Sequence, residues 1–524
     1  MASTSFALLV DWNGDGDFAD TGEVITGRLL NVTTERGRQS GNDLTSKSAA
    51  GKLTAIINNE SGDYSPFNAS SGLYGNLLPG RLVRLVIGNG TSFTYTFPFD
   101  FTDTGIWSGY LESITPAVSV TSINTVKLTA VGALGLIAKK EVQIATQTDK
   151  RTDELVSSIL TSAGWASGDS DLEAGQTTVS AYWNSGTTAL QAIREIEDTE
   201  AGFIYETVDG KIKFEDRNFR LTNARATTSF LTLSDHSSTS YPYQTIVQRD
   251  PLPSIYNDFR ANIRVVSTGS LATLWTHPET GSASPLIEAG ATNIYWAQYP
   301  PPTDGTFASS IAGQVAAMAW TTPAATTDVL VNAAADGSGS NLTGDLTIAA
   351  VKYSNSMKIT LTNGNAADGY ITLLKARGTT VVSSDATMIV AEDSDSQDKF
   401  FKRTFRSIPK WIPTSAEAQK WTDTRLAIYK DPMPQLSIGW TAGKNTNTLS
   451  AALDLDISMR VTVVAANNAG LGINEDFIVE RVQHSISQGG KLHDVRFDLS
   501  PASVSSGFFS LGTSLLGAST RLWY

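Results

Sequence analysis

The chain has 524 residues, 41% hydrophobic and 17% charged, with a net charge of −13 from 39 basic and 52 acidic side chains. At roughly 100–200 residues per domain, this length implies several cores rather than one. The acidic balance argues against a nucleic-acid-coating role, which needs a basic face, though it leaves room for a local basic strip, and the absence of cysteine removes disulfides, thiolate zinc sites and thiol nucleophiles together.

The first element is a strand, FALLV. Its apolar run is short and lacks the basic start of a secretory signal. Residues 130–138, the longest nearly apolar stretch, fall far short of the roughly 20 residues a membrane helix needs, so no membrane segment is expected. The loop Asp11-Trp-Asn-Gly-Asp-Gly-Asp-Phe follows. Oxygen ligands at alternate positions and a glycine at the sixth suit a structural calcium ion, because hard cations take carboxylates from a sharply turned backbone. Asp11, Asn13, Asp15 and Asp17 are the candidate ligands. The twelfth position is Gly22, with Glu23 one residue late, so a polar turn is the competing reading.

Leu53, Ala55 and Ile57 alternate as in a strand, residues 58–66 are rich in turn formers, and residues 82–86 restart a strand after Pro79-Gly80. Residues 126–138 read as a strand and a short helix. Residues 151–165 form an amphipathic helix with Leu155, Ile159 and Leu160 on one face, ended by Gly164, with Trp165 packed beneath.

The stretch 186–216 is the centre of the chain. Thr187 or Thr188 caps a helix carrying Ala189, Leu190, Ile193 and Ile196, Gly202 stops it, and two strands follow, joined by Asp209-Gly210. A two-residue turn there pairs Glu206 with Lys213 and Tyr205 with Phe214. It puts Phe203, Tyr205, Thr207, Ile212 and Phe214 on one buried face. Glu195, Glu197, Asp198 and Glu200 read as an exposed helix face.

From about residue 267 Gly, Ser, Thr and Pro increase, with Tyr299-Pro300-Pro301-Pro302 marking a connector. Residues 327–382 alternate in short strands and read as a small β-sandwich, in which Tyr353 and Tyr370 are candidates for a sugar platform. A helix capped by Thr414 follows, with Ala418, Trp421, Leu426 and Ile428 facing a core, and then three strands. The last stretch, SGFFSLGTSLLGASTRLWY, is apolar and reads as a docking segment.

The order of these pieces resembles the tail-tip and baseplate hub proteins of long-tailed bacteriophages. The resemblance is carried by NNESGDYSP, LYGNLLPGRLVRL, GYLESITP, ALQAIREIEDTE with GFIYETVDGKIKFEDR, and finally DPMPQL, IVERVQHSI and HDVRFDLSP. It covers about residues 5–260 and 389–524. It implies a mainly β, multi-domain scaffold with α+β segments: a β-barrel-like domain at 1–140, a helix–hairpin domain at 141–265, a connector at 266–326, an inserted β-sandwich at 327–388, a second β-rich domain at 389–500 and a docking tail at 501–524. It further implies a virion protein at the tail tip, assembled in the host cytoplasm. This would be a homotrimeric ring on the tail tube, contacting tube, tip or fibre proteins and surrounding the DNA exit path.

The sequence lacks a G-x-S-x-G elbow, an H-E-x-x-H pair and a Walker A loop. No enzymatic activity and no sequence-specific nucleic-acid binding are expected. His484 and His493 read as strand histidines. Two alternatives remain: a receptor-binding protein gripping host cell-surface glycan through the sandwich, and a glycosidase using Glu200.

Overall fold

The computed structural model describes residues 5–39, 46–88, 104–236, 241–249, 252–298, 314–466 and 470–502. The strands Leu29–Arg38 and Ser48–Asn58 pair antiparallel, and the expected alternation holds, with Leu53, Ala55 and Ile57 all buried. With Ser5–Val10, Leu82–Gly88, Thr104–Ala117 and Thr125–Val131 they wrap a core containing Trp12, Val32, Leu85, Trp107 and Leu128. A second group, Ser229–Ser234, Gln435–Thr441, Arg460–Ala465 and Leu492–Pro501, wraps another core around Ile438, Trp440, Phe477 and Phe497.

One strand, Ile473–Ser487, belongs to both groups and joins them into a thirteen-stranded sheet. Its first part, Ile473 to Ile478, pairs with Arg460–Ala465, and its second, Arg481 to Ile486, pairs with residues 32–37. Between the two parts Val479 pairs with Leu499 and Arg481 with Asp498, so Glu480 has no residue opposite it. Such a bulge bends a strand and re-aims the side chain of the extra residue. Gly37 answers it on the neighbouring strand. Its φ is +109°, and a Cβ there would lie 2.3 Å from the Glu480 carbonyl oxygen.

The helix Thr152–Ser162 is as expected: Leu155, Ile159 and Leu160 are buried, Gly164 takes the left-handed position and Trp165 closes the end. The central helix Ala189–Glu200 is capped by the Thr188 hydroxyl, which accepts the Gln191 N–H. Its stop differs by one residue. Ala201 is left-handed (φ 58°), and Gly202 is needed because the Glu215 carbonyl oxygen would lie 2.4 Å from a Cβ there.

The hairpin register also differs from the expected one. Tyr205 pairs with Lys213, Ile204 with Phe214 and Glu206 with Ile212. The loop has three residues: Thr207 N–H donates to the Lys211 carbonyl, Gly210 N–H to the Thr207 carbonyl, and Gly210 sits at φ 88°. That is a turn followed by a glycine bulge, and it shifts one strand by one place relative to a two-residue turn. Phe203, Tyr205, Lys213 and Glu215 therefore share one face, while Ile204, Glu206, Ile212 and Phe214 share the other. Glu206 and Lys213 do not meet, and all eight strand residues are buried.

The segment expected as a connector at 266–326 instead supplies the strands Val266–His277, Leu286–Ile287, Thr292–Gln298 and Gln314–Trp320. They complete a sandwich with Val329–Asn332, Leu346–Lys352, Ser356–Asn363 and Gly369–Ser383. The long strand Gly369–Ser383 could not bury its face without these partners. The chain leaves at Ile263 and returns at Thr387, which are paired neighbours, so the whole unit is inserted into one hairpin. The helix Ser415–Tyr429 carries the Thr414 cap and buries Ala418 and Trp421, but Leu426 and Ile428 are only half-buried. Tyr299–Pro302 and the docking stretch beyond Ala502 lie outside the described residues.

Gly37→Ala combines a left-handed backbone with a backbone clash. It is expected to cost about 1–3 kcal/mol and to lower the melting temperature. An unchanged melting temperature would show that the bulge does not depend on Gly37.

Candidate functional site

The sequence places charge where the two strand groups meet the helix and hairpin. Both carboxylate oxygens of Glu206 are engaged, one by Gly51 N–H at 2.7 Å and one by Leu134 N–H at 2.6 Å. Burial pushes its carboxyl up to about 7, against those two N–H groups and the nearby Arg36. Arg36 spans the joint, donating to the Glu206 carbonyl at 3.0 Å and to Asp456 at 2.8 Å. On the other hairpin face Glu215 accepts Tyr205 O–H at 2.8 Å and Ser458 O–H at 2.7 Å. Burial also raises the Glu215 carboxyl.

The bulged Glu480 closes the arrangement. It accepts from Arg220 at 2.6 Å, Arg38 at 2.7 Å and the Ser500 hydroxyl at 2.6 Å. Burial would raise its carboxyl, but the Arg220 and Arg38 guanidiniums outweigh that and hold it down at about 2. The same two arginines lie over the ring of Phe203, Arg38 at 4.4 Å and Arg220 at 5.2 Å from its centroid. A cleft of about 140 Å³ opens beside them, but Arg217 along it is tied to Glu417 and Arg220 to Glu480. The carboxylates of this junction hold architecture together.

The helix face expected to be exposed is split. Glu197 and Glu200 are buried, Glu197 under the hairpin strand at Ile204 and Glu200 against Thr152 and the 176–177 backbone. Glu197 accepts Ile204 N–H at 2.7 Å and pairs with Arg194 and Lys47. Glu200 takes Thr152 O–H at 2.8 Å and the N–H groups of Thr177 and Gln176 at 2.9 and 3.1 Å. A carboxylate so engaged is a brace and not a free acid. His484 and His493 lie in strands as expected, Nδ1 to Nε2 at 3.0 Å, and burial holds both below the ordinary histidine range, His493 at about 4.

In the N-terminal loop the four calcium candidates separate. Asp11 is buried and accepts Gly14 N–H at 2.6 Å and Gly16 N–H at 3.1 Å, so it forms the turn. Asn13 donates to Asp15 and Asp20. Asp15, Asp17 and Asp20 bring carboxylate oxygens within 4.8 Å of one another. Glu23, the late acid, is buried and accepts the N–H groups of Trp12 and Asp20. Asp20 lies beyond the alternating ligand pattern, and only the fold brings it beside Asp15 and Asp17.

Tyr353 and Tyr370 do not share a surface. Tyr370 lies on the five-stranded sheet of the sandwich, whereas Tyr353 flanks the three-stranded one and stacks on Trp296, with centroids 5.9 Å apart and planes at 22°. Trp296 went unnoticed because its strand fell in the supposed connector.

These features define a class: a mainly β, multi-domain scaffold with the fold of phage tail proteins, as the motif order implied. The tail protein from Neisseria meningitidis MC58 is similar in fold at 9% identity and a TM-score of 0.50, with 96% of this chain and 98% of that one covered. The 43 kDa tail protein of prophage MuSo2 from Shewanella oneidensis matches at 8% identity and a TM-score of 0.48, covering 96% and 99%. An Escherichia coli type VI secretion component, described as structurally similar to the T4 tail proteins gp27 and gp5, matches at 8% identity and 0.39, covering 98% and 80%. No family model and no curated protein matches the sequence.

Two measurements test the sites. Glu480→Gln leaves two arginines facing a neutral group and is expected to cost about 3–5 kcal/mol at neutral pH. Because the Glu480 carboxyl is depressed, its contribution is present above the ordinary value of 4.5 and is lost as pH falls toward about 2. The melting-temperature gap between variant and parent should therefore narrow in acid, and a gap independent of pH would contradict the ion pairs. For the N-terminal loop, a bound calcium ion predicts a higher melting temperature in excess calcium than in EDTA. Equal temperatures would leave the loop closed by its own hydrogen bonds.

Proposed function

We propose that this chain is a structural protein of a phage tail, with no enzymatic step. It forms a ring of three copies at the distal end of the tail tube and joins the tube to the tip around the DNA exit path. The observation that supports this reading is the fold shared along nearly the whole chain with the Neisseria tail protein. Two barrel-like groups per chain give a three-copy ring six such groups, a geometry able to meet a six-fold tube. A ring needs a heterologous contact that closes. The net charge of −13 suits a lumen that DNA passes without sticking, since like charge suppresses phosphate contacts.

The contact surface we assign is one end of the first barrel-like group. There Phe67 is 97% exposed, Val118 81% and Val120 101%, on two loops held together by Asn59 N–H donating to the Asn124 carbonyl at 2.8 Å. These exposed apolar side chains at one end of the sheet are the ones we assign to the ring contact. Phe67→Asp with Val120→Asp should abolish assembly on the tube and leave the melting temperature of the single chain unchanged, as seen by sedimentation and by electron microscopy of tails. Normal assembly of the double variant would remove this surface from the ring, and antibody label bound along the tail shaft instead of its tip would contradict the placement.

A further inference from the structure

The outer face of the three-stranded sheet in the inserted sandwich carries side chains that the fold does not use. Its inner face, with Met357, Ile359 and Leu361, belongs to the sandwich core. The pairing sets the outer face out in rows: Trp296 beside Lys358 beside Val351, then Ile294 beside Thr360 beside Ala349, then three threonines at 292, 362 and 347. Ile294, Trp296 and Val351 are 52%, 48% and 51% exposed. The Trp296 indole is braced by Tyr353 stacked against it, and the hydroxyls of Thr292 and Thr362 lie 2.9 Å apart.

We propose that this face binds a neutral, hydroxyl-rich glycan. The indole of Trp296, backed by Tyr353, offers a half-exposed π surface on which the C–H face of a sugar ring can lie. The threonine hydroxyls each offer one donor and two acceptors, the same chemistry as the sugar's own hydroxyls. Charge decides between occupants. These three rows hold a single ionic side chain, Lys358, in a chain of net charge −13. A nucleic acid would need several cations to replace its counterions. A stable protein partner would need roughly 800 Å² per side and 20–30 residues, far more than one aromatic pair and two aliphatic side chains provide. A small uncharged polyol needs only the aromatic shelf and the hydroxyls beside it. This inference stands apart from the ring reading and would hold for the chain in any assembly.

The test uses the full chain on an array of neutral hexose and N-acetylhexosamine oligosaccharides, with sialylated and sulfated glycans as comparison. The expected result is binding to neutral members. Trp296→Ala should weaken it at least ten-fold and Tyr353→Ala by a smaller factor, while Tyr370→Ala, on the other sheet, leaves it unchanged. Should Trp296→Ala lower the melting temperature, Thr360→Arg supplies the second variant, since an arginine in the middle row covers the shelf from an unaltered indole. No binding to any neutral glycan would overturn the proposal, as would binding to acidic members alone. A self-association abolished by Trp296→Ala would also overturn it, by assigning the face to a second copy.

Discussion

The constraint on which the rest depends is a hairpin buried on both faces. Phe203–Glu206 and Ile212–Glu215 are eight residues with no solvent side, so each face must match a different neighbour. Ile204, Ile212 and Phe214 complete the helical core, while Phe203 and Tyr205 complete the core of the second barrel-like group. A hairpin alone is marginal in water. Here it is held because its neighbours need it as much as it needs them.

Burying a polypeptide segment so fully brings its polar groups inside, and an unpaired one costs about 1–3 kcal/mol. The chain meets this by giving each buried carboxylate several donors. Glu206 has two backbone N–H groups, Glu215 two hydroxyls, Glu480 two guanidiniums and a hydroxyl. Such groups add little net stability against an apolar replacement. They do fix orientation, since Arg36 and Glu480 reach their partners only when both barrel-like groups and the hairpin are in register. For the ring subunit we propose, a fixed orientation matters more than extra burial.

Much of the local structure was legible. Leu53, Ala55 and Ile57 announced a one-sided strand, the Thr187-Thr188 pair and Thr414 their helix caps, and Gly164 a helix end. What failed has one physical cause in several places: the environment changed faces that sequence pattern treats as solvent. Alternation selects a hairpin register only when one face is buried and the other wet. With both faces buried, Asp209-Gly210 fits a two-residue turn and a three-residue bulged loop equally well on paper. Glu197 and Glu200 look like a solvated helix face until the hairpin covers one and Thr152 with residues 176–177 covers the other. In the N-terminal loop the alternating pattern offered Asp11, Asn13, Asp15 and Asp17 alike, and it could not show that Asp11 accepts the Gly14 and Gly16 N–H groups. Trp296 was lost because strand pairing across some 60 residues, from Trp296 to Lys358, leaves no local trace.

The central claim is that this pair of barrel-like groups, joined by the strand Ile473–Ser487, is a subunit of a three-copy ring. Native mass of the purified full chain, by light scattering across a concentration series, addresses it most directly. The account predicts a species at three times the 55.9 kDa chain, forming as concentration rises. A six-copy particle, or a chain that stays single at every concentration and in the presence of its tube protein, would contradict it.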